Sequence, residues 1–277
     1  MAVIAESPRN DVDSSPLKHV LQSLKDFFIS PRWLAASLFI SVWHVGSVLM
    51  DTRVVPPPLT VFRLMWRILF TGLFFEHLGP SLVRIMSGFV VCLVVGTVIG
   101  VIMGSRRSWE PLFKDLVILC LTMPGLIYSL LAVMFFGLSL MAPIVAVSAG
   151  TFPFIAVNIR EGVRALDKDL LDMGRVYHVP RRKVITQIIL PALLPFFLAA
   201  IRTGFAIAWK ISTLVEVFGA QSGVGYMIRA GFDAFSVAQI AAWSLLFGGV
   251  MLSIEYGILE PADRYLARWR PKVGRMI

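Results

Sequence analysis

Arg160 to Pro191 reads REGVRALDKDLLDMGRVYHVPRRKVITQIILP, a polar island between long apolar tracts. Seven of its residues are Lys or Arg and four are Asp or Glu. A stretch so charged cannot cross hydrocarbon, where each central charge costs roughly 2.5–3.5 kcal/mol. Its pattern is nonetheless helical. After Asp167-Lys168-Asp169, apolar residues recur at Leu170, Leu171, Met173, Val176 and Tyr177. His178-Val179-Pro180 breaks the run, Val184, Ile185, Ile188 and Ile189 resume it, and Leu190-Pro191 ends it. Two short amphipathic helices with a bend between them, held against a membrane face, make a docking surface rather than a tether.

The rest of the chain supplies the membrane part. Of 277 residues, 57% are hydrophobic and 16% charged, with a mean hydropathy of +0.78. These values describe an integral membrane protein and exclude an ordinary soluble domain. Cys92 and Cys120 both lie in apolar spans, so they indicate core packing rather than a disulfide or a metal site. The opening MAVIAESPRNDVDSS lacks a basic-then-apolar segment, so no cleavable signal peptide is expected.

Outward from the island, the pattern predicts six spans. Leu17, Val20, Leu21, Leu24, Phe27 and Phe28 give one greasy face, an interfacial helix. The first span is Trp33–Leu49; after Pro56-Pro57-Pro58, the segment Leu59–Phe75 carries Arg63 and Arg67 one turn apart and reads as a second interfacial helix. The second span, Ser81–Met103, places Gly96, Gly100 and Gly104 four residues apart, a register that admits a close helix or is plain span composition. Leu116 to Ile159 holds no charge, so it folds back as two spans with the turn at Gly137-Leu138-Ser139 and Pro143. Pro124-Gly125 interrupts the first of these, either to line a cavity or as a simple kink. The fifth span runs over Pro191–Val217 and the sixth over Val237–Ile258, joined by the Gly-rich FGAQSGVGYMIRAGF, a re-entrant or external loop.

The expected fold is therefore an all-α integral membrane protein with six transmembrane helices and interfacial helices. Residues 1–32 form an N-terminal tail with its interfacial helix, 33–262 the spanning domain with the loop at 160–191, and 263–277 a basic tail. With both termini inside, nineteen Lys and Arg fall on the inner side and four on the outer. The positive-inside rule then puts the island and both termini in the cytoplasm. The same bias accounts for the net charge of +9 without nucleic acid.

No G-x-x-x-x-G-K-[ST] tract, metal-ligand cluster or G-x-S-x-G elbow occurs. An enzyme acting alone is not expected, and if ATP drives this chain a separate subunit must bind it.

The island resembles a known loop. Permease subunits of ATP-binding-cassette importers carry E-A-A-x-x-x-G, nine residues, then I-x-L-P. Here Asp172, Met173 and Gly174 occupy the E-A-A places, His178 stands at the glycine, and Ile188, Leu190 and Pro191 fall in register. The glycine closes a helix where φ is positive. His is among the residues that tolerate that region, so the bend is expected to survive. Over roughly residues 55–270 the chain is similar to type I importer permeases. LGPSLVR (Leu78–Arg84) and KISTLVEVFGAQSGVGYMI (Lys210–Ile228) are similar to the nitrate, sulfonate, taurine and bicarbonate group.

The resemblance implies an importer subunit of the cell inner membrane, working with two copies of an ATP-binding-cassette ATPase and a second permease, expected as a homodimer. A periplasmic or lipid-anchored binding protein and membrane lipid complete the partners. This chain would hold no cofactor; ATP and Mg would sit on the ATPase. Asp172, Met173, Gly174, Tyr177, His178, Val179 and Pro180, with Arg181, Leu190 and Pro191, would form the coupling element seated on the ATPase. Arg181-Arg182-Lys183 would pair with acidic groups there or with anionic lipid. The solute expected is a small sulfonate-, nitrate- or taurine-like anion, moved by alternating access. Along the pathway the candidates are Arg202, Lys210, Glu216 and Pro124. Arg202 lies close to mid-bilayer and either attracts an anion or pairs with Glu216, Glu255 or backbone carbonyls. Lys210 and Glu216 would form an external gate. The competing readings are a self-sufficient secondary transporter, which would need inverted repeats and coupling-ion carboxylates, and a membrane scaffold.

Overall fold

The computed structural model describes residues 31–105 and 108–266, with side chains from Leu34 onward. The interfacial helix expected at Leu17–Phe28, the Arg106-Arg107 pair and the basic residues from Arg268 lie outside these. The chain divides into two compact units, 1–59 and 60–277.

In the first unit, α1 (Pro31–Leu49) presents Leu38, Phe39, Val42, Val45 and Val48 on its exposed surface. The indole of Trp43 donates to the Pro56 carbonyl at 3.0 Å, folding the proline run back along α1.

The second unit carries the remaining helices. Pro58 opens α2 (Pro58–Phe70), where its fixed φ and missing N–H are tolerated. Val61 and Ile68 are buried while Arg63 and Arg67 are exposed. Gly72, at φ 76°, turns the chain into α3 (Leu73–Ser105). This helix starts eight residues before the expected Ser81, with Pro80 inside its third turn. Next come α4 (Glu110–Thr122) and α5 (Gly125–Phe136), bent by 95° at Pro124. Gly137, at φ 62°, ends α5, and α6 (Met141–Arg164) returns, which places the turn where the sequence put it.

The island forms α7 (Lys168–Val176) and α8 (Arg181–Val184). Here one expectation is corrected. Leu190-Pro191 does not end a helix: α8 continues through a π-turn at Ile185–Ile189 into α9 (Leu190–Gly219), giving one 39-residue rod. After α9 the Gly-rich tract is also no loop, since most of it forms α10 (Val224–Asp233). The last rod is α11 (Val237–Ile254), a π-turn at Glu255–Leu259, and α12 (Glu260–Leu266).

Both π-turns stop one residue before a proline, Pro191 in one rod and Pro261 in the other. In an α-helix a proline ring clashes with the carbonyl four residues back and breaks that hydrogen bond. The wider turn bonds Leu190 N–H to Ile185 O and Glu260 N–H to Glu255 O, five residues back, and moves the offending carbonyl away. The helices therefore pass through their prolines instead of stopping.

Among the described residues, four helices are long and apolar enough to cross a membrane, and five if the bent α4–α5 pair makes one span. The apolar stretch Leu34–Leu49 of α1 is shorter. The sequence reading expected six spans; the described residues give four, or five with the bent pair.

The core of the second unit is the α3–α6–α9 layer. Gly88, Cys92, Gly96, Gly100 and Gly104 run along one side of α3 at four-residue steps. A Cβ on Gly88 would lie 2.7 Å from Val147, on Gly96 2.8 Å from Ile155, on Gly100 2.7 Å from Ile159, and on Gly104 2.5 Å from Val163. Helices α3 and α6 thus meet backbone to backbone, with β-branched knobs of α6 filling the gaps. The close-approach reading of these glycines is the one realised. Toward α9, Gly162 receives Phe196, and the Ile155 side chain that meets Gly96 also reaches Gly204.

Candidate functional site

Helix α7 is built to stand alone at a surface. Asp167 caps it, accepting from the Asp169 N–H at 2.9 Å. Arg175 lies in its last turn, where a cation suits the helix dipole, and bonds Asp172 at 2.8 Å. The far end is a Schellman closure. The His178 N–H donates to Arg175 O (3.1 Å) and the Val179 N–H to Gly174 O (2.9 Å), with His178 at φ 50°. The left-handed position expected of a glycine is thus kept with a histidine in it. Gly174, the buried residue of α7, packs against Val184 of α8, where an added Cβ would lie 3.4 Å from the valine methyl. Helices α7 and α8 therefore close into a tight hairpin.

The outer face of that hairpin is apolar. Leu170, Met173, Val176 and Tyr177 occupy one side of α7 and are 43%, 51%, 73% and 75% exposed. Residues three and four apart share a helical face, so they form one stripe, rimmed by the exposed Arg175, Arg181 and Arg182. Behind the hairpin is a cavity of about 770 Å³, lined in part by Gly104, Arg164, Lys168, Asp172 and Arg175. Near its base Glu110 at the start of α4 grips α6 through Arg160 (2.5 Å) and Arg164. Leu190 and Pro191 lie in the continuous rod beyond the hairpin.

Three basic residues lie deep in the rods: Arg84, Arg202 and Lys210. Arg84 donates to Glu216 at 3.0 Å and to the Ser222 carbonyl at 2.7 Å. Glu216 is 1% exposed and also accepts from Ser81 (2.7 Å) and the Gly225 N–H (2.9 Å). The neighbouring N–H groups of Gly223 and Val224 donate to His77 and Ser81. Gly223, at φ 112°, has no room for a Cβ, which would lie 2.5 Å from the Glu216 carboxylate. So the tract after α9 is locked onto α3 by one buried carboxylate, and the start of α10 has its backbone donors satisfied.

Arg202 is held by the last rod, through its π-turn and α12. Its Nε donates to Glu255 at 2.6 Å and an amino group lies 3.7 Å from Asp263. Glu255 and Asp263 are eight positions apart, which would set them on different faces of a plain helix. The π-turn absorbs one residue, leaving seven, close to two α-turns, so both carboxylates face the same guanidinium. Of the partners foreseen for Arg202, Glu255 is the one found and Glu216 is not. Lys210 and Glu216, expected together, are not brought together. Glu216 is buried against Arg84, whereas Lys210 is exposed and forms no ion pair or hydrogen bond among the described residues. Pro124 sits at the bend, and Gly125 beside it faces Ile211 of α9, with 3.3 Å left for a Cβ. Sequence reading missed Ser81, His77 and Arg84 as a group. The available signal was Arg84 itself, a charge inside a span that required a partner.

A multi-pass helical architecture, a capped polar hairpin and charge pairs inside the rods are now in place, and comparison with known proteins gives them a family. The profile of the binding-protein-dependent transport system inner membrane components matches residues 96–268. The chain belongs to that family. This permease is similar to the putative aliphatic sulfonates transport permease protein SsuC of Bacillus subtilis, 29% identical over 244 residues, covering 86% of each chain. It is also similar to the taurine transport system permease protein TauC of Escherichia coli, 23% identical over 86% of this chain and 88% of that one. The bicarbonate transport system permease protein CmpB of Synechococcus elongatus is 26% identical, over 97% and 98%. In fold, the permease is similar to the inward-facing MetNI methionine ABC transporter, with a TM-score of 0.57 and 19% identity over 74% of this chain and 98% of that one. It is an ABC transporter permease, a multi-pass membrane protein of the transport class.

Proposed function

We propose that the permease is the membrane half of an ATP-driven importer for a small anion, and that the α7–α8 hairpin is where a separate ATPase grips it. The observation that carries this is the apolar stripe Leu170–Tyr177, exposed on a helix capped at both ends and closed against α8. Apolar surface presented on so charged a hairpin calls for a protein partner. The hairpin also suits a lever, because α8 is continuous with α9: displacing α7 displaces a 39-residue rod. Closure of an ATPase pair would in this way rock the rods between inward- and outward-open arrangements. The solute class comes from the relatives, whose names specify aliphatic sulfonates, taurine and bicarbonate. A binding protein would deliver it, as the family's description states for its members. Orientation with the hairpin in the cytoplasm follows from the Lys and Arg distribution.

The test replaces Met173 and Tyr177 together by Asp and purifies the permease from its own membranes. The wild type recovers a P-loop ATPase in stoichiometric amount; the double variant loses about tenfold or more of it. Equal recovery would remove the stripe as the grip.

A further inference from the structure

Among the described residues, the pairing of the deep charges leaves Lys210 over. Of the three deep basic residues, Arg84 is neutralised by Glu216 and Arg202 by Glu255 with Asp263. Lys210 has no such partner and lies exposed on the flank of α9, nine residues, about 13 Å, from the helix end at Gly219. A bare ammonium at that depth cannot face hydrocarbon; it faces water, a partner or a passing solute. Among the described residues, the carboxylates of its own rod and of the last rod nearest to it in sequence register, Glu216 and Glu255, are both already engaged by arginines.

Two further observations place this flank beside a discontinuity. Thr203, about two turns before Lys210, is exposed on the same side. Ile211, the next residue, lies against Gly125 at the 95° bend of α4–α5, and its carbonyl accepts from Ser129 at 3.4 Å. In a membrane, backbone broken in this way is tolerated where it is packed in protein or borders an aqueous cavity.

We propose that Lys210 lines the solute pathway and is the residue that attracts the anionic cargo, a sulfonate- or carboxylate-sized head group. This rests on the importer reading and assigns to Lys210 the role that the sequence offered to Arg202. Arg202, tied to two carboxylates, serves to join two rods.

The test uses cysteine labelling in the assembled transporter, with Cys92 and Cys120 changed to Ala and ATPase recovery scored in the same preparation. Only a thiolate in water reacts with methanethiosulfonates, so Lys210→Cys is expected to react about tenfold or more faster than Val94→Cys on the apolar face of α3. With Lys210 present, Thr203→Cys is expected to prefer the anionic ethylsulfonate reagent over the cationic ethylammonium one several-fold, and Lys210→Gln to bring the two rates together. If Lys210→Cys does not assemble, the Thr203→Cys pair alone decides. A Lys210→Cys no faster than Val94→Cys, or a Thr203→Cys reagent preference unchanged by Lys210→Gln, overturns this inference even where the ATPase is recovered. Absence of the ATPase from the permease that keeps Lys210 and Thr203 instead overturns the importer reading.

Discussion

His178 occupies a left-handed backbone position that costs an L-residue roughly 1–2 kcal/mol relative to the right-handed one, at φ 50° and exposed. Its side chain is exposed, and the two Schellman hydrogen bonds hold the backbone there. His178→Gly is therefore expected to stabilise the end of α7 by about 1 kcal/mol. Amide exchange across 174–179 would then slow about fivefold in the purified permease. Faster exchange would mean that the histidine ring contributes to the bend.

Helices show the same logic in their spacing. Glycine to alanine inside a helix normally gains about 0.5–1 kcal/mol, and Gly249→Ala in α11 should do so because nothing lies within 4 Å of the new Cβ. Gly100→Ala should reverse the sign, since its Cβ would lie 2.6 Å from the Ala156 carbonyl oxygen. Overpacking against backbone costs about 1–3 kcal/mol. Thermal unfolding in detergent separates the two, and a stabilised Gly100→Ala would show that α3 and α6 can part. The sequence reveals the glycine period but not its partner, because nothing in the sequence sets the matching knobs Val147, Ile155, Ile159 and Val163 apart from the other apolar residues of their helix. The turn at Gly137 and the hairpin bend are legible because residues there are chosen for backbone geometry. The π-turns are not. Leu190-Pro191 looks like a stop, since proline ends an ordinary helix, and only the widened backbone shows that it does not. That misreading propagates: without the extra residue at 255–259, no pattern predicts that Glu255 and Asp263 converge on Arg202.

For the whole permease, Arg202 ties the rod carrying the hairpin to the final rod, α11–α12. Arg202→Glu places three carboxylates together and should lower the unfolding temperature and ATP-driven uptake. Adding Glu255→Arg to it should recover part of both losses, as coupled neighbours do. A double reversal no better than the single one would show that the two rods are joined elsewhere. Charge placement explains why composition alone indicated a membrane protein yet not its pathway. Arg202 and Lys210 are both cations inside one apolar helix, and only the neighbours supplied by other rods distinguish the neutralised one from the open one.

Contact without an intervening side-chain layer has a mechanical meaning. Along α3 and α6 only the short β-branched knobs of α6 lie between the two main chains, so the helices cannot shear past each other without steric collision. They behave as a keel. Any rearrangement the transporter makes must pivot around that spine, and its give is expected at the Pro124 bend.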